Sequence, residues 1–278
     1  MSSPVGSVRF YADPRGNRLQ SWTVTPHEGG HVVWLRGPVE AERQIKALDP
    51  KYQTLSTSAT AGSTWTHALR SPDPLPSPAM RPLLILLTEI ISLPSPPGID
   101  IALALDWYKI PQQGVDSRQW ANTAIGGLVN SGKYRYKYDA RLQAQAGRAL
   151  VDHMWHAVER HGTLNQTTVV LDVPGHDSTR VSFGSRLAAT VARRRGVPMV
   201  KVLTRSSFRP EAKSLQGAAR ESLVMDEFLV SDQVRGQSAL VVDDVFQSGA
   251  SMAAVGKKAR QSGAVTVHGL CGVRTMRR

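Results

Sequence analysis

The C-terminal half of the chain alternates short apolar runs with amphipathic stretches that end at glycine. The apolar runs TTVVLDV, MVKVLT, SALVVDDV and AVTVHGLCGV predict strands. Between them, SFGSRLAATVARRRG and GASMAAVGKKARQSG have helical spacing and a terminal glycine, which is a common helix stop. Continuous apolar strands that alternate with helices are typical of parallel sheets covered on both faces. This half therefore predicts an α/β fold with a parallel twisted sheet flanked by helices.

The first part of the chain predicts an additional N-terminal α+β module. VRFYA and HVVWLRG predict short strands, separated by the turn-forming DPRGN and PHEGG. An apolar run at 82–93 lies between two proline- and serine-rich stretches and predicts one short helix-like element. IDIALALDWY at 99–108 predicts a buried strand, and 117–160 has helical spacing. We therefore expect two domains, 1–98 and 99–278.

Composition indicates a protein with a packed core. The 278 residues are 41% hydrophobic and 20% charged. Cys271 is the single cysteine, which excludes an internal disulfide and a CxxC zinc ribbon and suits a reducing compartment. The N-terminus lacks an apolar signal core, and the longest apolar run is too short for a bilayer and contains Glu89. We expect a soluble cytoplasmic protein without a membrane partner.

The formal net charge of +12 is concentrated in the C-terminal half. Residues 1–140 hold 14 basic and 11 acidic residues, whereas residues 141–278 hold 20 and 11. Such a field attracts polyanions such as nucleic acid, nucleotides or pyrophosphates. Arg193–Arg195 and the terminal Arg274, Arg277 and Arg278 are candidates for nucleic-acid contact. Few aromatic residues lie near them, so solvated surface charge is the favoured interpretation.

The stretch ALVVDDVFQSGASM, from Ala239 to Met252, combines two kinds of chemistry. Ligands of open α/β sheets bind beyond the carboxyl ends of the strands, where Asp243 and Asp244 are predicted to lie. Two adjacent carboxylates repel each other, and ribose hydroxyls or hydrated Mg²⁺ would satisfy them. Ser248–Ser251 then opens a helix, whose free N–H groups suit a phosphate. Together they predict a site for a phosphorylated ribose; the structural alternative is a capped helix after a strand.

This stretch resembles the phosphoribosyl pyrophosphate (PRPP) motif of type I phosphoribosyltransferases, and most closely the ComF-like branch, with Gln247, Ser248 and Ser251 where that branch has threonine. The resemblance implies that Asp243 and Asp244 are catalytic residues that hold the ribose hydroxyls and Mg²⁺, directly or through water. It also implies a 5′-phosphate site formed by Val245, Gln247, Ser248, Gly249, Ala250 and Ser251.

Weaker likeness extends upstream over roughly residues 105–278. VPGHDSTRVSFGSRLAATVA resembles the family's first strand and its pyrophosphate loop, although the second arginine and the asparagine of that loop are absent. Residues 205–228 resemble the segment in which a Gln-x-x-Leu/Gly stretch precedes an arginine and an aromatic residue, with Gln216, Arg220 and Phe228 as the matches. GKYRYKYDARLQAQAGRALVDHM at 132–154 resembles the Lys-Tyr helix that precedes the core. The resemblance implies pyrophosphate or lid contacts from Pro174, Gly175, His176, Arg180, Arg205 and Arg220.

The resemblance implies a transferase in which a nucleobase-like acceptor replaces pyrophosphate at the ribose C1 carbon. A non-catalytic PRPP- or nucleotide-binding protein, or a DNA-handling protein of the ComF-like competence type, is the alternative. The motif does not specify the acceptor, the pathway, the oligomeric state or the role of residues 1–98.

Two rival motifs are also present. Gly127–Lys133 fits GxxxxGK, the phosphate loop of nucleotide triphosphatases, but Tyr134 stands where the Mg²⁺-binding Ser or Thr belongs and SRQWANTAI makes a poor preceding strand. This interpretation predicts that Lys133→Ala abolishes ATP binding. His27–His31 fits HExxH, a zinc motif that requires a helix, but its two central glycines predict a turn instead.

Overall fold

The chain divides into two compact units. A computed structural model describes residues 16–56, 65–112, 114–136, 138–175, 177, 180–205 and 227–276. One unit comprises the residues up to Pro94 together with Ala157–Asn165, and the other comprises Ser95–His156 and the residues from Gln166 onward. The long helix Ala140–Arg160 is thus divided, with its last turn, from Ala157, assigned to the first unit.

The first unit is built around an antiparallel sheet. Its strands follow the order β1-β2-β4-β3, and each neighbouring pair is antiparallel. HVVWLRG forms β2 as predicted, whereas VRFYA lies outside the described residues. The run at 82–93 divides into helix α2 and strand β5, because the chain turns extended at Ile90. The elements are β1 Ser21–His27, β2 Gly30–Arg36, α1 Val39–Leu48, β3 Gln53–Leu55, β4 His67–Ser71, α2 Met80–Glu89 and β5 Ile91–Leu93.

The HExxH segment lies in the β1–β2 hairpin. His27 pairs with Gly30 and His31 pairs with Pro26 on either side of a turn at Glu28-Gly29. A turn at this place is what the two glycines predicted. His31 is buried, and its ring nitrogens bond the Asp73 carbonyl and the Tyr52 hydroxyl, each at 2.6 Å. His31 is therefore a core residue, and the helical zinc motif is not formed.

The second unit alternates strands and helices. Its elements are β6 Ile101–Trp107, α3 Ala124–Asn130, a π-helical turn Ser131–Arg135, α4 Ala140–Arg160, β7 Val169–Asp172, α5 Phe183–Arg195, β8 Met199–Val200, β9 Leu203–Thr204, β10 Phe228–Leu229, β11 Ser238–Phe246, α6 Ala250–Gln261 and β12 Thr266–Arg274. The predicted glycine stop of α5 is confirmed, since Gly196 caps it in the left-handed conformation.

The main sheet of this unit is parallel, as the apolar strands predicted. Its strands follow the order β6-β12-β11-β7-β8, and all four pairings are parallel. Ala239–Val242 of β11 is buried on both faces, which explains its unbroken apolar sequence. Because β11 is central, its carboxyl end lies between those of β12 and β7. Within the described segments, no helix is long and apolar enough to cross a membrane.

The predicted strand MVKVLT is divided in two. β8 pairs with β7, but the Val202 N–H donates instead to Oδ1 of buried Asp172, at 2.9 Å. This side-chain acceptor takes the donor that a continuing strand would offer to the ladder. The chain then leaves the sheet, and β9 pairs antiparallel with β10.

Candidate functional site

The acid pair lies near the carboxyl end of central strand β11. The strand continues for two residues beyond it, so Val245 and Phe246 still pair with β12. Successive strand residues point to opposite faces, which sends the side chains of Asp243 and Asp244 in different directions. Asp243 is half-buried, and Asp244 is 4% exposed. The two carboxylates therefore have different hydrogen-bond partners, but they remain close enough for the charge of Asp244 to raise the pKa of Asp243.

Asp244 forms an ion pair with Lys133 of the π-helical turn. The lysine Nζ lies 3.0 Å from Oδ1 and 2.8 Å from Oδ2. Burial lowers the pKa of Lys133, but the Asp244 charge and hydrogen bond outweigh it and raise the pKa above its ordinary value. The lysine is therefore charged at neutral pH, and a cation from 111 residues earlier belongs to the acid-pair site.

The segment Gly127–Lys133 is not a phosphate loop, so the nucleotide triphosphatase interpretation is wrong at this motif. It is helix α3 followed by the π-helical turn, and the Gly127 N–H donates within the helix to the Thr123 carbonyl at 2.8 Å. A phosphate loop needs free N–H groups between a buried strand and a helix. No strand forms in the described residues 114–123 either, as the polar sequence there predicted.

Asp243 lies against the backbone of its neighbour and the first turn of α5. The Asp244 N–H donates to Oδ1 of Asp243 at 2.8 Å. A methyl group on Gly184 would lie 3.4 Å from the same oxygen, so α5 approaches the carboxylate with its amino end. Burial and the Asp244 charge raise the pKa of Asp243 well above its ordinary value, against the opposing effect of Lys133. Of the two adjacent acids, Asp243 is therefore the one whose ionised form is destabilised in the folded protein.

The turn after β11 leads directly into the amino end of α6. Gly249 is the N-cap residue, with a left-handed φ of +79°. Glycine has no side chain that could accept a hydrogen bond from the N–H groups of the first turn, whereas Ser182 caps α5 by accepting from Ser185 N at 3.0 Å. Ser248 is exposed, and Gln247, Ala250 and Ser251 are half-buried. The predicted phosphate-binding residues therefore surround a helix terminus whose cap suits an anion.

Arg274 anchors this turn, a role that the sequence did not predict. The residue is 6% exposed, and its Nη1 donates to the carbonyls of Phe246, at 3.2 Å, and Gln247. Its guanidinium also lies 5.2 Å from the centre of the Phe246 ring. For Arg274, both the favoured interpretation as solvated surface charge and the alternative as a nucleic-acid contact are therefore wrong, because the side chain is buried. Arg277 and Arg278 lie outside the described residues.

The end of α5, a second nucleic-acid candidate, is engaged within the protein. Arg194 forms an ion pair with Asp152, and its guanidinium lies 5.6 Å from the centre of the Trp155 ring. Arg193 is exposed and Arg195 is half-buried. These contacts favour the interpretation of surface charge.

The turn can be tested with a pair of glycine substitutions. Alanine at Gly249 would place Cβ 2.7 Å from Cζ of Phe246 and 3.0 Å from Cγ of Pro96, whereas alanine at Gly236, with φ of +71°, meets no atom within 4 Å. Both variants incur the left-handed cost of about 1 kcal/mol. We expect the free energy of unfolding, measured with urea, to fall by about 1–2 kcal/mol more in Gly249→Ala than in Gly236→Ala, because only the methyl group at position 249 collides with neighbouring atoms. Equal losses would contradict the tight turn.

The pyrophosphate candidates are only partly described. Pro174 is buried and Gly175 half-buried in the segment between β7 and α5, whose first turn approaches Asp243. Arg180 is exposed in the same segment, and Arg205 is exposed after β9. His176 and Arg220 lie outside the described residues. Their contact with pyrophosphate stays a prediction.

The donors at the site suit Mg²⁺ only together with ligand oxygens. Mg²⁺ is usually bound through one or two carboxylates plus substrate phosphates and water. Asp243 and Asp244 can supply the carboxylates, but both oxygens of Asp244 contact Lys133. Across the described parts of the chain, no cluster of three or more His, Cys, Asp or Glu residues could hold a metal. The predicted metal role of the two acids therefore depends on the ligand.

No family model and no curated protein matches the sequence. Among solved structures, the chain is similar to a purine phosphoribosyltransferase from Pyrococcus horikoshii Ot3. The two share 12% sequence identity at a TM-score of 0.31, over 45% of this chain and 68% of that one. This similarity is too low to indicate a function for the chain.

Proposed function

We propose that the chain binds the 5-phosphoribosyl group of PRPP or of a ribose-5-phosphate nucleotide, together with Mg²⁺, and transfers it to or from a nucleobase-like acceptor. One observation carries the proposal: a single strand–turn–helix places the acids Asp243 and Asp244 just before a helix terminus capped by glycine. The acids suit sugar hydroxyls and the terminus suits a phosphate. A phosphorylated ribose offers both groups on one small molecule.

The residues have separate parts in this chemistry. Carboxylate oxygens of Asp243 and Asp244 would accept hydrogen bonds from the 2′- and 3′-hydroxyls. The N–H groups of Gly249, Ala250 and Ser251 and the hydroxyls of Ser248 and Ser251 would bind the 5′-phosphate. Buried Arg274 supports the turn through the Phe246 and Gln247 carbonyls. Fixing the sugar from both ends orients C1 for displacement.

Charge at the site suits the displacement of pyrophosphate. Transfer at C1 passes through a transition state that resembles an oxocarbenium ion, and nearby carboxylates stabilise its positive charge. Mg²⁺ would neutralise the departing pyrophosphate, with Asp243 and Asp244 contributing directly or through water. Pro174, Gly175, Arg180 and Arg205 are the described candidates for pyrophosphate contact.

Calorimetric titration tests the proposal. PRPP with saturating Mg²⁺ is titrated into the wild type, Asp243→Asn and Asp232→Asn. Asp232 is the matched control, because its side chain is 76% exposed and it precedes the amino end of β11. We expect binding by the wild type and Asp232→Asn, and loss of measurable binding in Asp243→Asn, which keeps the Lys133–Asp244 pair. A folded wild type that binds no PRPP would refute the proposal.

A second assay separates transfer from binding alone. Release of pyrophosphate is measured with PRPP, Mg²⁺ and a panel of nucleobases. Release that depends on one base would support the transferase and identify its acceptor. Tight binding without release would favour the non-catalytic alternative, which is also supported by the absence of the family's second arginine and asparagine from the loop at 174–185.

A further inference from the structure

Lys133 lies outside the strand–turn–helix, yet it contacts both carboxylate oxygens of Asp244, one of the two acids of that segment. Its backbone is held on two sides. Gln143 of α4 donates to the Gly132 carbonyl at 2.8 Å, and a methyl group on Gly132 would lie 2.2 Å from Cζ of Phe183. The lysine side chain is 34% exposed, whereas Asp244 is almost fully enclosed. The backbone is thus fixed while the flexible side chain keeps access to solvent.

The ion pair competes with the function proposed for Asp244. One ammonium, at 2.8 and 3.0 Å, takes about half of the lone-pair sites of the Asp244 carboxylate. Because only 6% of this side chain is exposed, sugar hydroxyls or a metal ion could use its oxygens fully only if the ammonium moved. A ligand that uses Asp244 must therefore displace the ammonium, at least in part. A partly buried ammonium without an anion is unfavourable, so the displaced group needs a new negative partner.

The ligand itself can supply that partner. A phosphoribosyl compound carries its hydroxyls and its phosphate groups on one framework, so the hydroxyls and the phosphates enter the site together. Lysine has four rotatable bonds and a compact charge, which lets it exchange one oxygen anion for another nearby without backbone movement.

We propose that Lys133 is an exchangeable cation of this site, which occupies Asp244 in the free protein and binds a phosphate group of the phosphoribosyl ligand in the complex. The inference rests on the proposed function for its ligand. It assigns Lys133 to ligand binding and not to the phosphate loop that its sequence suggests. It also implies that the free protein shields Asp244 from divalent cations.

The test measures two affinities that should change in opposite directions in Lys133→Met. Removal of the ammonium frees Asp244, so we expect Mn²⁺ alone, followed by its electron paramagnetic resonance signal, to bind about tenfold more tightly. Removal also deletes a charged contact to phosphate, so PRPP at saturating Mg²⁺ should bind about 10- to 100-fold more weakly. Saturating metal keeps the change in metal affinity out of the PRPP measurement.

Three variants serve as controls. Lys51→Met removes a lysine that contacts both oxygens of Asp73, at 2.9 and 3.1 Å, but is 59% exposed in the first unit, and it should change neither affinity. Lys133→Arg keeps the charge and should restore most of the PRPP affinity. Lys133→Met/Asp244→Asn has no carboxylate at position 244, so the gain in Mn²⁺ affinity expected for Lys133→Met should be absent from it. If Lys133→Met folds poorly, Lys133→Gln replaces it in both measurements.

A loss of both affinities in folded Lys133→Met would show that the lysine only supports the structure, and would overturn the inference. Unchanged or tighter PRPP binding would overturn it as well, because the lysine would then make no contact with the ligand. A wild type that binds no PRPP refutes the proposed function and the phosphate contact of Lys133 together. The Mn²⁺ result would still report whether Lys133 shields Asp244.

Discussion

Gly126→Ala is expected to destabilise the protein by about 3 kcal/mol, whereas Gly127→Ala, one residue later, should stabilise it by up to about 1 kcal/mol. A methyl group on Gly126 would lie 2.0 Å from the Tyr108 carbonyl oxygen and 2.9 Å from its carbon. That carbonyl accepts the Thr123 N–H at 3.2 Å, so it cannot simply turn away. A methyl group on Gly127 meets no atom within 4 Å.

The pair is informative because both residues lie in α3, next to each other and with the same substitution. Alanine favours a helix over glycine by the same intrinsic amount at both positions, so the difference isolates the collision with Tyr108, the residue after β6. Urea unfolding of both variants measures it. A shift of α3 would also displace the following turn and Lys133, so Gly126→Ala should lose ligand affinity. Equal stabilities of the two variants would contradict the close approach of α3 to Tyr108.

The sequence could not distinguish these two glycines. Gly127 is the first residue of the GxxxxGK stretch and Gly126 directly precedes it, and a phosphate loop is one interpretation of that stretch. The hydrophobic pattern of the chain predicted the parallel sheet correctly, because burial on both faces leaves a strong local pattern. This pattern is clear in β6, β7, β11 and β12 and in α5 and α6. The contact between Gly126 and Tyr108 leaves no such pattern, since it depends on where α3 meets the residue that follows β6.

The sequence predicted the part of the candidate site whose residues follow one another along the chain. Asp243, Asp244 and the turn to Ser251 lie within one short stretch, so order along the chain implied proximity in space. Lys133 and Arg274 reach the same site from distant elements, and their long-range contacts leave no local signature. Lysine beside tyrosine did resemble a family feature, but only the fold reveals that its partner is Asp244.

The adjacent acids should respond oppositely to the same substitution. Asp244→Asn leaves Lys133 without its partner, and we expect a loss of about 2–3 kcal/mol in the free energy of unfolding. This is less than the 3–5 kcal/mol typical of fully buried pairs, because the lysine is 34% exposed and retains some hydration. Asp243→Asn instead removes a carboxylate whose ionisation is opposed by burial and by Asp244. It should raise the free energy of unfolding at neutral pH.

The pH dependence of Asp243→Asn provides the sharper measurement. Because the pKa of Asp243 is raised in the folded state, folded protein keeps this proton over a range of pH in which the unfolded chain has lost it. The unfolded state binds fewer protons there, so wild-type stability falls as pH rises from the ordinary aspartate pKa toward the raised value. Asparagine has no such titration, so the advantage of the variant should be absent at about pH 4 and grow toward neutrality. Urea unfolding across this range measures both curves, and an advantage that shrinks as pH rises would contradict the raised pKa. A variant that is more stable and yet binds no PRPP would show that Asp243 is retained for the ligand at the expense of stability, as expected for a functional residue.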